Sequence, residues 1–229
     1  EQLNELITTL GKTEHPQGSV EQKIGDLYRL CMDMDKRNLL GTQPVQPTLQ
    51  TIGSITCKEE LSAGLGQAME FGLWGMYVDA DSKNSTMNIL NECQAGLTLG
   101  EKSYYLDKDE HTLSIRKAFE QYITQMFTAF GYSNADKHAQ TILRIETRIA
   151  QASKSNVELR DPIANYNKMT VDELQALVPQ VNWTTYFNEM KIVPESLSVG
   201  QIEHLQEMGR ILEEEDLDDL KLLFTWQVI

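Results

Sequence analysis

Apolar residues recur at three- and four-residue spacing along most of this chain, a pattern that predicts helices. Leu3, Leu6, Ile7 and Leu10 form the first such face. Val20, Ile24, Leu27, Tyr28 and Cys31 form the second, opened by a capping box at Ser19-Val20-Glu21-Gln22. Gly41, Pro44 and Pro47 end that element and start a short helix with Leu49, Ile52 and Ile55. Thr56-Cys57-Lys58-Glu59 caps a further helix bearing Leu61, Leu65 and Met69, which Gly72 closes. The most regular stretch carries Ile115, Phe119, Tyr122, Ile123, Met126, Phe127 and Phe130 and stops at Gly131; an aromatic stripe at this spacing is a core face. A long helix then starts at Ser133 and places Ile142, Ile145, Glu146 and Ile149 on one side.

Glu146 therefore sits among apolar neighbours, where a carboxylate needs a partner. Arg160, or another cation from the following loop, is the expected one. Pro162 forbids a helix through Asp161, so the chain turns there. Thr170-Val171-Asp172-Glu173 is a second capping box that restarts a helix ending at Pro179. The stretch from Ile142 to Glu173 thus reads as a buried, polar-pinned corner between two helices. Further helices are expected around Trp183, Phe187 and Met190, around Ile202, Leu205, Met208 and Leu212, and around Leu217, Leu220, Phe224 and Val228.

Period-two character is confined to one region. Leu73 to Val78 and Met87 to Asn91 flank a polar turn, Asp79 to Ser85, and predict a β-hairpin. A calcium loop at Asp79-Ala80-Asp81 fails on Lys83 at the fifth position, on the glycine missing from the sixth, and on Leu90 where the closing Glu belongs. Glu195 to Val199 is a brief extended piece. The expected fold class is mainly α, a multi-helix domain with one small β-hairpin, without internal repeat or dividing linker.

Charge narrows the partners. The formal net charge is −14, which repels nucleic acid and anionic lipid surfaces. No run approaches the ~18 apolar residues a membrane helix needs, and no signal peptide is present. Glu213 to Asp216 opposes the positive end of the last helix as a solvated first turn. Cys31, Cys57 and Cys93 cannot all pair within the chain, leaving buried free thiols or one thiol with a partner elsewhere. The chain opens directly into a helical pattern without an initiator Met and stops on the uncapped Trp226 to Ile229. We expect a fragment, with apolar surface near Leu3, Leu6, Val228 and Ile229.

Catalytic patterns are missing. His15, His111, His138 and His204 lack the two-histidine helical spacing and adjacent Glu of a zinc peptidase, and read as exposed or half-buried surface residues. No nucleophile elbow, phosphate loop or dinucleotide fingerprint occurs. Asn84-Ser85-Thr86 and Asn182-Trp183-Thr184 fit the N-glycosylation triplet, a pattern that arises often by chance. No catalytic, cofactor-binding or metal residue is assigned.

Several stretches, in order, carry a family resemblance. They are Leu27 to Asp33, Asp81 to Ser85, Gly96-Leu97 through Tyr104-Tyr105-Leu106, the Glu146 helix with Arg160-Asp161-Pro162 and Tyr166-Asn167-Lys168-Met169-Thr170, and Leu223 to Ile229. Together they resemble the N-terminal half of the neprilysin and endothelin-converting-enzyme family of zinc metallopeptidases, including bacterial oligopeptidase O. The resemblance implies that residues 1–229 are the mostly helical cover of a two-domain endopeptidase, with zinc held only by a missing C-terminal catalytic domain. Its substrates would be short peptides, its compartment extracytoplasmic, and Cys31 would have its disulfide partner outside this chain. A stand-alone helical interaction module without enzymatic activity is the alternative; the length of the parent gene discriminates the two.

Overall fold

The computed structural model describes residues 1–67 and 72–229; the expected position of Met69 lies outside them. It forms two compact units, Glu1–Gln46 and Pro47–Ile229.

In the first unit, α1 (Gln2–Lys12) and α2 (Val20–Met32) pack as a helical pair, and α3 (Met34–Leu40) follows. Ser19 caps α2 by accepting the Gln22 amide, while Gln22 reaches back to Gly18 rather than to Ser19. Two glycines let the pair approach: a Cβ on Gly25 would stand 2.5 Å from the Leu10 carbonyl oxygen, and one on Gly11 would strike the Tyr28 ring. Arg29 ties the helices by donating to the Gly11 carbonyl at 3.0 Å. The break after Met32 comes from Asp33, whose side chain caps α3, so the expected single element up to Gly41 is two helices. Leu3, Leu6, Leu27, Leu30 and Leu39 remain exposed.

The second unit begins with α4 (Gln46–Ser54) and α5 (Leu61–Gln67). The expected capping box at Thr56 does not form: Cys57 is the N-cap without a side-chain capping bond, and the Glu60 carboxylate, one residue beyond the expected Glu59, accepts the Thr56 amide and hydroxyl. The hairpin follows as β1 (Trp74–Asp81) and β2 (Asn84–Gln94), antiparallel with Trp74 opposite Gln94 and Met76 opposite Glu92. Next come α6 (Ser103–Leu106), α7 (Glu110–Ala129) and α8 (Ala135–Ala152). Asn134, at φ 56°, precedes α8, which starts two residues later than Ser133. Then β3 (Asn167–Thr170) leads through the expected Thr170–Glu173 capping box into α9 (Val171–Leu177) and α10 (Trp183–Glu189). Finally β4 (Ser196–Val199) precedes α11 (Ile202–Glu214) and α12 (Leu217–Val228).

Mainly α is correct, but one small hairpin is not the whole β content. Among the described residues the strands form one four-stranded sheet in the order β1-β2-β4-β3, with β2 and β4 parallel and the other pairs antiparallel. The two added strands are only four residues long, and β3 alternates between half-buried and exposed positions, so neither carries a hydrophobic run. Their pairing joins segments far apart in sequence, a contact that local periodicity does not report.

The core lies between helices and sheet. Phe119, Ile123 and Phe127 of α7 belong to it, with Ile142, Ile145 and Ile149 of α8, Leu205 and Met208 of α11, and Leu220, Leu223 and Phe224 of α12. Tyr122, expected on the α7 core face, is 52% exposed, although its ring edge meets Trp226. At the start of β1, Trp74 packs tilted against the buried Trp183 at 5.3 Å between ring centres and donates its indole N–H to the Tyr186 hydroxyl at 3.1 Å. Val228 and Ile229 are half-buried against this core, so the expected apolar surface is present at Leu3 and Leu6 only.

Candidate functional site

The corner expected from Ile142 to Glu173 is buried only at its α8 end; its turn, Asp161 to Ala164, is exposed. The α8 face of Ile142, Ile145, Glu146 and Ile149 is fully buried, as its spacing predicts. Glu146 accepts the Thr98 hydroxyl at 2.6 Å and the Tyr105 hydroxyl at 2.5 Å. The same Tyr105 oxygen accepts the Leu99 amide, and the Trp226 indole donates to Thr98 at 2.9 Å. Burial raises the Glu146 pKa, and the hydrogen bonds from Thr98 and Tyr105 hold it partly back. The expected cation is therefore wrong: Arg160 lies exposed, and two neutral hydroxyls, Thr98 from the loop before α6 and Tyr105 from α6 itself, take its place. A hydroxyl pair satisfies the carboxyl without requiring the burial of a second charge.

A second cluster pins α8 to the junction of α11 and α12. Arg144 grips Glu215 with two parallel hydrogen bonds, 2.8 and 2.7 Å, and reaches Asp219 at 2.9 Å. One turn on, Arg148 pairs with Glu207 and Glu214, each at 2.6 Å, and approaches Glu215 at 3.4 Å. Glu215 is 7% exposed and its pKa is lowered, first by the hydrogen bonds from Arg144. The acidic run is thus no simple solvated first turn; Glu215 ends α11 and is consumed by the two arginines.

Asp81 anchors the hairpin tip. Its buried carboxylate accepts the Tyr166 hydroxyl at 2.8 Å, the Lys168 ammonium at 2.9 Å and the Lys83 amide at 2.9 Å. Those bonds, led by Lys168, lower its pKa to about 2. The Lys83 ammonium sits 4.6 Å from the Tyr166 ring centre. Beside this anchor a cleft of about 540 Å³ opens between Met87 to Leu90 and Ile192 to Ser196.

The histidines do not converge. His15 is half-buried in a loop, His111 is exposed on α7 and His138 stacks at the Phe127 ring. His204 differs from its expected surface position: it is fully buried on α11 without a hydrogen-bond partner among the described residues, and burial lowers its pKa to about 4. Glu92 of β2 is 2% exposed and likewise unpartnered. Burial raises its pKa to about 8; the Gly200 and Gln201 amides pull against this without reaching hydrogen-bond geometry. Its position gave a readable signal, since Leu90, Glu92 and Gln94 share one strand face and Leu90 faces the core. Among the described residues no three His, Cys, Asp or Glu side chains are placed to hold a metal, so the side chains present do not fit a zinc site. No helix of the described residues is long and apolar enough to cross a membrane.

The arrangement builds a scaffold: two arginine clamps, a hydroxyl-satisfied carboxyl and an anchored hairpin. The model of peptidase family M13, in its N-terminal part, matches residues 1–229. Endothelin-converting enzyme-like 1 of Mus musculus is 25% identical over 249 residues, covering 100% of this chain and 32% of the relative. Endothelin-converting enzyme 1 of Rattus norvegicus is 27% identical over 227 residues, covering 91% and 30%. Among solved structures, the zinc metalloprotease Zmp1 of Mycobacterium tuberculosis in its open state superposes with a TM-score of 0.85 at 29% identity, covering 99% of this chain and 36% of that one. PepO of Lactobacillus rhamnosis, at 18% identity and a TM-score of 0.77, shares the fold over 98% of this chain. The chain spans about a third of the length of these relatives. It belongs to peptidase family M13 and corresponds to the N-terminal region of the zinc metallopeptidases of the neprilysin and endothelin-converting-enzyme type.

Proposed function

We propose that residues 1–229 are the helical cover of a zinc metalloendopeptidase that cleaves short peptides. The cover forms one wall of a closed chamber, admits extended peptides and excludes folded proteins. The observation that carries this reading is the family match over the whole chain combined with coverage of only about a third of each relative. Zinc, its ligands and the general base belong to a C-terminal domain of the same polypeptide, the cover's principal partner. In such a domain zinc activates a water and a Glu takes its proton. Among the described residues no such set is placed, and no catalytic step is assigned to them. Their contribution is rigidity: the Arg144 and Arg148 clamps and the Glu146 cluster hold the wall's helices in one arrangement. An extracytoplasmic compartment follows from the same reading.

The test is direct. Purified 1–229 is incubated with a quenched fluorescent peptide of about ten residues, with and without added zinc, beside the full-length parent. We expect chelator-sensitive cleavage by the parent and none by 1–229. Zinc-dependent turnover by 1–229 alone overturns the assignment of chemistry to the missing domain. A parent gene that stops soon after Ile229 overturns the cover reading itself.

A further inference from the structure

The two edges of the sheet are built differently. The β3 edge is four residues long and carries Lys168, one of the usual devices against strand pairing. The β1 edge is eight residues long, contains neither Pro nor Lys, and is regular up to the irregularity between Ala80 and Asp81.

The ladder shows which backbone groups this edge presents. Gly200 donates its amide to the Glu92 carbonyl at 2.9 Å, so Glu92 turns its backbone groups toward β4. In an antiparallel pair, opposed residues direct both their N–H and C=O either toward each other or both away. Met76 opposes Glu92, so Met76 points its groups away from β2, and Val78, two residues on, does the same. Among the described residues nothing hydrogen-bonds to the backbone of Met76 or Val78. The next such amide, Ala80, is already taken by the Asp79 carboxylate at 2.7 Å. Tyr77 and Val78, 52% and 65% exposed, flank the edge on opposite faces.

We propose that the free edge of β1, centred on Met76 and Val78, takes an extended, positively charged peptide as an added strand. Main-chain hydrogen bonds of this kind hold a peptide with little regard to its sequence. Charge selects the occupant. The chain carries a net −14 and Asp79 stands exposed beside the edge, which attracts a cationic peptide and opposes pairing of two copies. The edge would serve as a holding site for peptides. The nature of its occupant rests on the peptidase reading, but its test needs no catalysis.

The probe is a synthetic peptide, acetyl-Lys-Val-Thr-Val-Thr-Lys-amide, added to purified 1–229. Hydrogen exchange resolved by residue should show at least tenfold slower exchange at the Met76 and Val78 amides. Val78→Pro removes an amide that β2 does not use, so the circular dichroism and melting curve should be retained while affinity falls at least tenfold. Val78→Thr keeps the amide and should keep binding. Replacing both lysines of the probe with glutamates should weaken it at least tenfold at low salt, and the difference should shrink as salt rises. Unchanged exchange, or a Val78→Pro protein that is folded and binds normally, overturns the proposal. Protein-concentration-dependent protection without peptide does so in favour of a second copy. Met76 and Val78 amides already protected in the full-length parent do so in favour of a strand from the rest of that polypeptide. An inactive parent with intact peptide protection would sink only the peptidase reading; an active parent without protection would sink only this one.

Discussion

Glu92 and Glu146 are both buried carboxyls on apolar faces, and they differ in what surrounds them. Glu146 has two hydroxyl donors, and Glu92 has none within reach. For Glu92 the folded pKa of about 8 lies above the ordinary 4.5. Between those values the unfolded chain has lost the proton while the folded chain keeps it, so stability falls as pH rises through the window. Glu92→Gln removes that term. The variant should match the wild type near pH 4 and gain on it progressively up to pH 8, by at most about 5 kcal/mol. Urea unfolding at one-unit pH intervals measures this, and parallel stability profiles would refute it. His204 acts with the opposite sign, because its folded pKa of about 4 lies below 6.5. Its contribution is complete above pH 6.5 and is lost as the pH falls toward 4, in both proteins alike. Neither group's burial is visible in residue type. Glu92 shares a strand face with Leu90, and His204 shares a helix with Leu205 and Met208, but only the packed neighbours decide whether water reaches them.

At the scale of elements, the helices were legible because each buries a stripe that recurs with the helical period. The α8 stripe is buried residue for residue as its spacing requires. The sheet was half legible. β1 and β2 are adjacent in sequence and announce themselves by their turn, and β4 lies within the extended piece expected at Glu195 to Val199; β3 went unseen, as did the long-range pairing of both short strands. The clamp of α8 onto α11 and α12 was invisible for the same reason, since Arg144 and Glu215 are distant in the chain. Its two ends differ in energy. Glu215 is 7% exposed and leaves Arg144 and Arg148 without their shared partner when removed, so Glu215→Ala should cost about 3 kcal/mol. Asp219 is an exposed-side partner of a half-exposed Arg144, and Asp219→Ala should cost less than about 1 kcal/mol. Denaturant midpoints of the two variants give the comparison, and equal losses would show that burial does not set the strength of this network.

For the whole molecule, the two units have unequal means of stability. Glu1–Gln46 is about the size at which a chain rarely folds unaided, and it leaves Leu3, Leu6, Leu27, Leu30 and Leu39 exposed. Pro47–Ile229 contains the sheet, the aromatic cluster at Trp183 and the arginine clamps. A protein trimmed to 47–229 should therefore unfold cooperatively, with its circular dichroism retained. Isolated 1–46 should show little stable helix. A non-cooperative melt of 47–229 would count against the division.

By itself the sequence determined the helical period, the capping box at Thr170 to Glu173, the hairpin turn, the acidic balance and the family, because each is written in neighbouring residues or in their order. The tertiary structure decided the partners: hydroxyls rather than a cation for Glu146, arginines for Glu215 and, among the described residues, no side-chain hydrogen bond for Glu92 and no second strand beside β1. Burial and pairing are properties of groups brought together from distant parts of a chain, and no local pattern encodes the distance between them.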